Sequence, residues 1–138
     1  MYCNWLDVEL KTTKEDGVFT TLQDFYYPIS KRKAILIKAG FLTDCASIPH
    51  ILWGILDPTD ISYRLAAVLH DALYAVHLFD RAKCDELFLA AMKLEGCGWF
   101  KRYTVWSHVR AYGWAAWDAK AVETMAYNLA FVSIVDIN

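Results

Sequence analysis

The sequence predicts an α+β fold, with a small antiparallel sheet at the N-terminus followed by a bundle of about three helices. Three observations predict it. The first forty residues carry β-branched and aromatic runs divided by turn residues. From about residue 62 to 119, apolar residues recur at helical spacing between N-cap and glycine stop signals. The change of period falls in a mixed loop that begins at Gly40. A chain of 138 residues fits one domain with a real core. It divides into a sheet over about 1–40, a loop over about 40–56 and helices over about 61–120.

Taken in order, 4–10 alternates partly, 18–27 is rich in β-branched and aromatic residues, and 34–38 is a short apolar strand. Glu15-Asp16-Gly17 and Pro28-Ile29-Ser30-Lys31 supply the turns. The stretch 40–53 mixes Gly, Thr, Asp, Ser and Pro with large apolar residues and has no period, which marks an ordered loop of the kind on which sites are built. Asp57-Pro58 opens a turn, and Asp60 is the expected N-cap of a helix over 62–76. Asp80 caps a second helix over 81–92, whose Leu87, Phe88, Ala91 and Met92 form an apolar stripe and which ends at Gly96 and Gly98. A third helix is expected over 100–119, with Tyr103, Trp106, Val109, Arg110 and Trp114 near helical spacing; Gly113 inside it permits close packing or marks a kink. The tail 127–137 reads equally as a last strand or as more helix.

Composition limits the function. Hydrophobic residues make up 57% of the chain and charged ones 22%, a globular balance without a disordered segment. Six Trp, eight Tyr and seven Phe exceed what a small core needs, so some are expected to face a partner, a ligand or a lipid surface. A net charge of -2 gives no case for nucleic acid, and Lys31-Arg32-Lys33 and Lys101-Arg102 are too short to form a basic stripe. The N-terminus lacks the blocks of a signal peptide, and no apolar run approaches the ~20 residues of a transmembrane helix, so synthesis in a cytoplasm is expected. Cys3, Cys45, Cys84 and Cys97 form no C-x-x-C pair, which argues against structural zinc and for thiols. A Cys45–Cys84 disulfide would require Asp44 and Asp85 to converge.

The chemical signal lies in His70-Asp71-Ala72-Leu73-Tyr74 and in Asp85. A tight connection over 77–80 makes the first two helices antiparallel and sets His70 and Asp85 at nearly the same height. A carboxylate on one ring nitrogen fixes the tautomer and raises the basicity of the other, as a general base or a metal-ligating histidine requires. Asp71 points about 100° away around the helix, placed to hold a cation beside the histidine. Arg81 lies opposite Tyr74 by the same register, to stack on its ring or pair with a carboxylate. Arg110, on an otherwise aromatic face, is the third-helix residue expected to reach the cluster. Asp44 and Ser47 either cap the turn between Phe41 and Pro49 or join the site. His50 and His108 lack partners in the sequence, and no nucleophile-elbow pattern surrounds Ser47.

Gly40-Phe41-Leu42-Thr43-Asp44-Cys45-Ala46-Ser47-Ile48-Pro49, the histidine motif, Arg81 with Cys84-Asp85, and Val109-Arg110-Ala111-Tyr112-Gly113 together resemble domain of unknown function 1353. The pattern of that family is a G-F-x-T-D-x-A-S-I-P loop, an H-D-x-L-Y helix, an R-x-x-A-D helix start and a V-R-x-x-G helix. The match covers about 35–113 in the correct order and departs at Cys84, where the pattern has Ala. The resemblance implies a phage or prophage origin, so the cytoplasm of synthesis is expected to be that of the host, and incorporation in the virion is one of the alternatives it leaves open. A narrower likeness links the hairpin alone to secreted calcium-dependent phospholipases. It implies His70 as base, Asp85 as orienting acid, Tyr74 as a supporting donor and Asp71 as ligand to a divalent cation such as calcium. This chain lacks their glycine-rich calcium loop and disulfide framework, so further oxygens would come from Asp44, Ser47 or carbonyls of the 43–49 loop.

Two functional expectations follow. One is a tail, baseplate or assembly component, with Trp5, Trp53, Trp99, Trp114 and Trp117 docking to other phage structural proteins and the His/Asp cluster serving as a polar or cation site. The other is a small metal-assisted hydrolase of host envelope lipid or peptidoglycan, with His70 as general base.

Overall fold

A computed structural model describes residues 10–12, 19–43, 64–123 and 125–137. The fold is α+β, as predicted. Strands β1 (Leu10–Thr12), β2 (Phe19–Thr21) and β5 (Leu42–Thr43) form one antiparallel sheet in the order β1-β2-β5. A second antiparallel sheet, β3-β4-β6, joins β3 (Phe25–Pro28), β4 (Lys33–Ile37) and β6 (Val132–Asp136). The helices are α1 (Arg64–Val76), α2 (Arg81–Glu95), α3 (Trp99–Tyr112), α4 (Trp114–Glu123) and the short α5 (Met125–Asn128).

Three expectations are refined. The run 18–27 is two strands in two sheets, because side chains at the corner compete with the ladder. Thr21 Oγ1 donates to the Lys38 carbonyl at 3.0 Å and accepts from Phe41 N at 3.1 Å, while Asp24 Oδ1 accepts from Ala39 N at 2.8 Å. Gly40, at φ 94°, closes the other side of that corner, a left-handed conformation that glycine adopts without a Cβ penalty. The tail is a strand from Val132 onward. Ile134 sits opposite Ile35 and Val132 opposite Ile37, so the sheet is completed by the C-terminus instead of lying wholly within 1–40. Paired on both edges, β4 buries Ala34, Ile35, Leu36 and Ile37 in succession, the pattern of a central strand. The helix expected over 100–119 is divided at Gly113, and with α5 the helical region holds five pieces among the described residues, not about three.

The helix α1 is the axis of the fold, with every residue from Ala66 to Val76 buried. Leu69 and Leu73 of α1 share a core with Phe88 and Met92 of α2, Phe25, Ile35 and Ile37 of the sheet, and Val105 of α3. A helix buried on all sides cannot leave its first N–H groups to water. Those of Leu65 and Ala66 donate to Glu95 Oε2 and Oε1 at 3.1 and 2.9 Å, a bidentate cap from the last turn of α2. Asp60, the expected N-cap, lies outside the described residues. The reversal after α1 turns on His77, at φ 54°, and Asp80 then caps α2 as predicted, accepting from Lys83 N at 2.8 Å. Gly96, at φ 96°, ends α2, its N–H donating to the Lys93 carbonyl.

Candidate functional site

The antiparallel hairpin of α1 and α2 brings His70 and Asp85 to the same height, as their spacing predicts. His70 Nε2 lies 2.7 Å from Asp85 Oδ1, and both side chains are buried, at 6% and 0% exposure. Tyr74, one turn after His70, donates its hydroxyl to the same Oδ1 at 2.7 Å. The other oxygen, Oδ2, accepts from Arg110 Nη1 of α3 at 2.7 Å and, at a longer 3.4 Å, from Arg81 Nη1. Asp85 therefore takes four donors from three helices onto one carboxylate.

These donors set its charge. Burial on its own raises the pKa of a carboxyl, but the hydrogen bonds from His70, Tyr74 and Arg110 outweigh it and hold Asp85 below its ordinary value of 3.8. An ionised carboxylate only accepts, so the hydrogen on this side of the imidazole is on Nε2 and Nδ1 carries the lone pair of the neutral ring. Burial, reinforced by the bond to Asp85, shifts Tyr74 in the opposite sense, above the ordinary phenol value. Its hydroxyl stays protonated and remains a donor.

Aromatic rings fix the imidazole and phenol in place. Phe88 stacks on His70 with centroids 4.4 Å apart, and Trp117 meets Tyr74 edge-on at 5.1 Å. Trp117 also stacks on His77 at 3.4 Å, and its carbonyl lies 3.1 Å from His77 Nε2. Trp117 is therefore a packing residue of the α1–α4 contact rather than a free docking ring. Trp99 and Trp114 are exposed as expected, and Trp5 and Trp53 lie outside the described residues.

Arg81 does more than pair with Asp85. Its Nη1 and Nη2 donate to the carbonyls of Val109 and Arg110 at 2.9 and 3.1 Å, near the C-terminal end of α3. Cations are favoured at that end of a helix dipole. Gly113, which follows, leaves room for this meeting. A Cβ there would stand 2.5 Å from the Val109 carbonyl oxygen, 2.9 Å from the Tyr74 hydroxyl and 3.3 Å from Arg81 Nη1. The V-R-x-x-G spacing thus supplies a donor for Asp85 from Arg110, carbonyls for Arg81, and a gap for Tyr74.

Asp71 is buried at 4% exposure, next to His70. Asp44 and Ser47, expected with it as cation ligands, lie outside the described residues, as do Cys3, Cys45 and His50. Among the described residues no three His, Cys, Asp or Glu side chains converge as a metal site. Cys84 and Cys97 are buried thiols. The thiol of Cys84 is pushed up to about 12, first by burial and then by the neighbouring Asp85 and Asp80 charges, which makes it a packing residue and a poor nucleophile.

Sequence reasoning missed Glu95, and a signal for it existed. A carboxylate in the last turn of a helix opposes that helix's own dipole, as Arg81 does in the first turn of α2. Both charges stand at the unfavourable end of their own helix because each serves another: Glu95 the start of α1, Arg81 the end of α3.

No curated protein and no solved structure matches this chain. A family model described as "Protein of unknown function (DUF1353)" matches residues 19–109, which takes in β2 to β5 and the hairpin with His70, Tyr74, Arg81 and Asp85. It stops one residue before Arg110. With well over half of its length matched, the chain belongs to the DUF1353 family.

Proposed function

We propose that this chain is a bacteriophage- or prophage-encoded protein that acts as a tail, baseplate or assembly component, and that its histidine–aspartate network makes the helical region rigid. One observation carries the reading: Asp85, with no exposed surface, accepts from His70, Tyr74, Arg81 and Arg110 on three helices. A fully satisfied buried network specifies one arrangement of the elements that contribute to it. Particle parts that must fit neighbours need such rigidity. Exposed Trp99, Trp114 and Tyr112 leave aromatic area for those neighbours. The phage origin rests on the motif resemblance. The test is mass spectrometry of purified particles from a host carrying the gene. Stoichiometric recovery in the particle supports the reading, whereas recovery only in the soluble lysate, with particles assembling normally in its absence, overturns it.

A second reading is favoured by a separate observation. With Nε2 donating to Asp85, the neutral ring of His70 has its lone pair on Nδ1, the tautomer of a general base with an orienting acid and Tyr74 in support. In this reading the chain is a small hydrolase of host envelope lipid or peptidoglycan. A divalent cation such as calcium would supply charge stabilisation, with Asp71 as one ligand and Asp44 and Ser47 as the others. Calcium and zinc titrations of the wild type and Asp71→Asn by calorimetry test the cation. On any substrate found, His70→Ala should lose turnover by roughly 10²- to 10⁴-fold while keeping its fold. Full activity in that variant would end the catalytic reading.

A further inference from the structure

The turn between α2 and α3 carries an exposed apolar surface of which the first reading uses Trp99 alone. Leu94, at 64% exposure, precedes the Gly96-Cys97-Gly98 turn, and Trp99, Phe100 and Tyr103, at 68%, 58% and 47%, follow it. The core-facing side of α3 is supplied instead by buried Val105, with Trp106 and Val109 packed against the core. These four large apolar side chains have therefore been left to solvent while the helix itself is anchored.

Their arrangement identifies the partner. A groove-binding helix offers anchors at i, i+3 or i+4, and i+7 along its length. On α3 the row at that spacing is Trp99, Tyr103 and Trp106, but Trp106 is packed against the core, so the exposed apolar residues of the tip crowd one end of the helix. From Trp99 to Tyr103 the chain rises about 6 Å along the axis. That matches the ~5–10 Å to which apolar groups enter the headgroup and acyl boundary of a bilayer. Trp and Tyr are also the side chains that settle at this boundary.

The charges around the tip agree. Residues 93–103 hold Lys93, Lys101 and Arg102 against one carboxylate, Glu95. Glu95 is turned away, bound to the Leu65 and Ala66 N–H groups of α1. Arg102 is held at the tip, its Nη1 donating to the Cys97 carbonyl at 3.2 Å and its guanidinium 5.5 Å from the centre of the Tyr103 ring. In a chain of net charge -2, the segment 93–103 thus holds three cations and one carboxylate. We infer that this tip, formed by Leu94, Trp99, Phe100 and Tyr103 with Lys93, Lys101 and Arg102, docks on an anionic lipid surface. No helix among the described residues is long and apolar enough to cross a membrane, so the contact is interfacial. The inference does not depend on a catalytic role for His70.

The test is co-sedimentation of the full chain with vesicles of phosphatidylcholine plus phosphatidylglycerol, beside vesicles of phosphatidylcholine alone. The expected result is binding to the anionic vesicles that weakens as salt is raised. Trp99→Ala/Phe100→Ala should abolish it. Lys101→Glu/Arg102→Glu should lower affinity by on the order of 30-fold or more, since each cation near an anionic membrane contributes about a factor of five. Tyr127→Ala, at an exposed ring of α5, should bind as the wild type does. Circular dichroism confirms that each variant is folded. The inference is overturned by a wild type that ignores anionic vesicles, by equal binding to both vesicle types, or by binding that survives Trp99→Ala/Phe100→Ala. It is equally overturned if the tip proves to be a self-association surface, with a dimer that the double alanine variant abolishes and no vesicle binding.

Discussion

Asp85 and Asp136 each take a cation from another element at almost the same distance, Asp85 from Arg110 at 2.7 Å and Asp136 from Lys33 at 2.9 Å. Their surroundings differ completely. Asp85 has no exposed surface and four donors, whereas the side chains of Asp136 and Lys33 are 85% and 57% exposed at the end of the β4–β6 pairing. Distance alone would rank the two pairs together. Burial separates them, because a charge out of water depends wholly on its protein partners, while a charge in water exchanges one set of partners for another. The helical network is thus the place where polar side chains decide the structure, and at the sheet edge backbone pairing and core packing decide it.

The largest expected effect is that of Asp85→Asn. It leaves the shape nearly unchanged and removes the one charge that Arg81 and Arg110 share. Breaking a buried pair from one side costs about 3–5 kcal/mol, and the lower end applies here, because Arg81 and Arg110 retain 20% and 33% side-chain exposure and can turn toward water. Denaturant unfolding should show a loss of about 3 kcal/mol. The same variant carries a pH prediction. The folded pKa of Asp85 lies below its ordinary 3.8, so its stabilisation is complete above that value and is lost as the pH falls through the lower folded value. The gap between wild type and Asp85→Asn should shrink as the pH falls below about 4. A gap that instead widens in acid would mean that Asp85 is not held as the ionised acceptor.

Next in size is Gly113→Ala. A methyl group at 2.5 Å from a carbonyl oxygen and 2.9 Å from the Tyr74 hydroxyl forces backbone or phenol to move. Overpacking of this kind costs about 1–3 kcal/mol, and about 2 is expected. Because the phenol is the movable partner, Gly113→Ala combined with Tyr74→Phe should cost less than the sum of the two single changes. Strict additivity would separate the glycine from the network.

Much of this network was legible in the sequence, because it is built on two helices whose caps and periods are explicit. The fifteen-residue interval from His70 to Asp85, with Asp80 as N-cap between them, leaves an antiparallel hairpin little freedom. Arg110 was legible for another reason, as a charge on an aromatic helix face. The division of 18–27 was not, since it depends on Thr21 and Asp24 bonding to residues more than a dozen positions away. The last strand was hidden in the same way: 127–137 has no decisive period of its own, and β6 exists because β4 offers it an edge. Long-range pairing is what single-segment patterns omit. Asp44 and Ser47, proposed as cation ligands, fall in the stretch of sequence without a period, which gives no register from which to place them.

A smaller loss is expected from Tyr74→Phe. It removes a 2.7 Å bond to an ionised oxygen but leaves His70 on the same atom, and the ring still packs against Trp117. A hydrogen bond to a charged group contributes about 1.5–3 kcal/mol, and with the carboxylate otherwise satisfied about 1.5 is the expected cost in denaturant unfolding. Since the phenol helps to keep Asp85 ionised, the acid limb of the variant should also be smaller and level off at a higher pH.

Lys33→Ala completes the series with the least effect. The pair it breaks is in high dielectric, screened by salt, and requires two mobile side chains to be held together. The residue nonetheless lies opposite Asp136 in the β4–β6 register, where Ile137 N donates to the Arg32 carbonyl at 2.7 Å, so a backbone explanation and a charge explanation compete for the same spot. They are separable. If backbone pairing holds this end, Lys33→Ala changes stability by less than about 0.5 kcal/mol and high salt has no effect on the difference. A loss above about 1 kcal/mol that disappears in high salt would place the sheet edge in the same class as the Asp85 network, and the contrast between buried and exposed pairs would fail as an account of what holds this chain together.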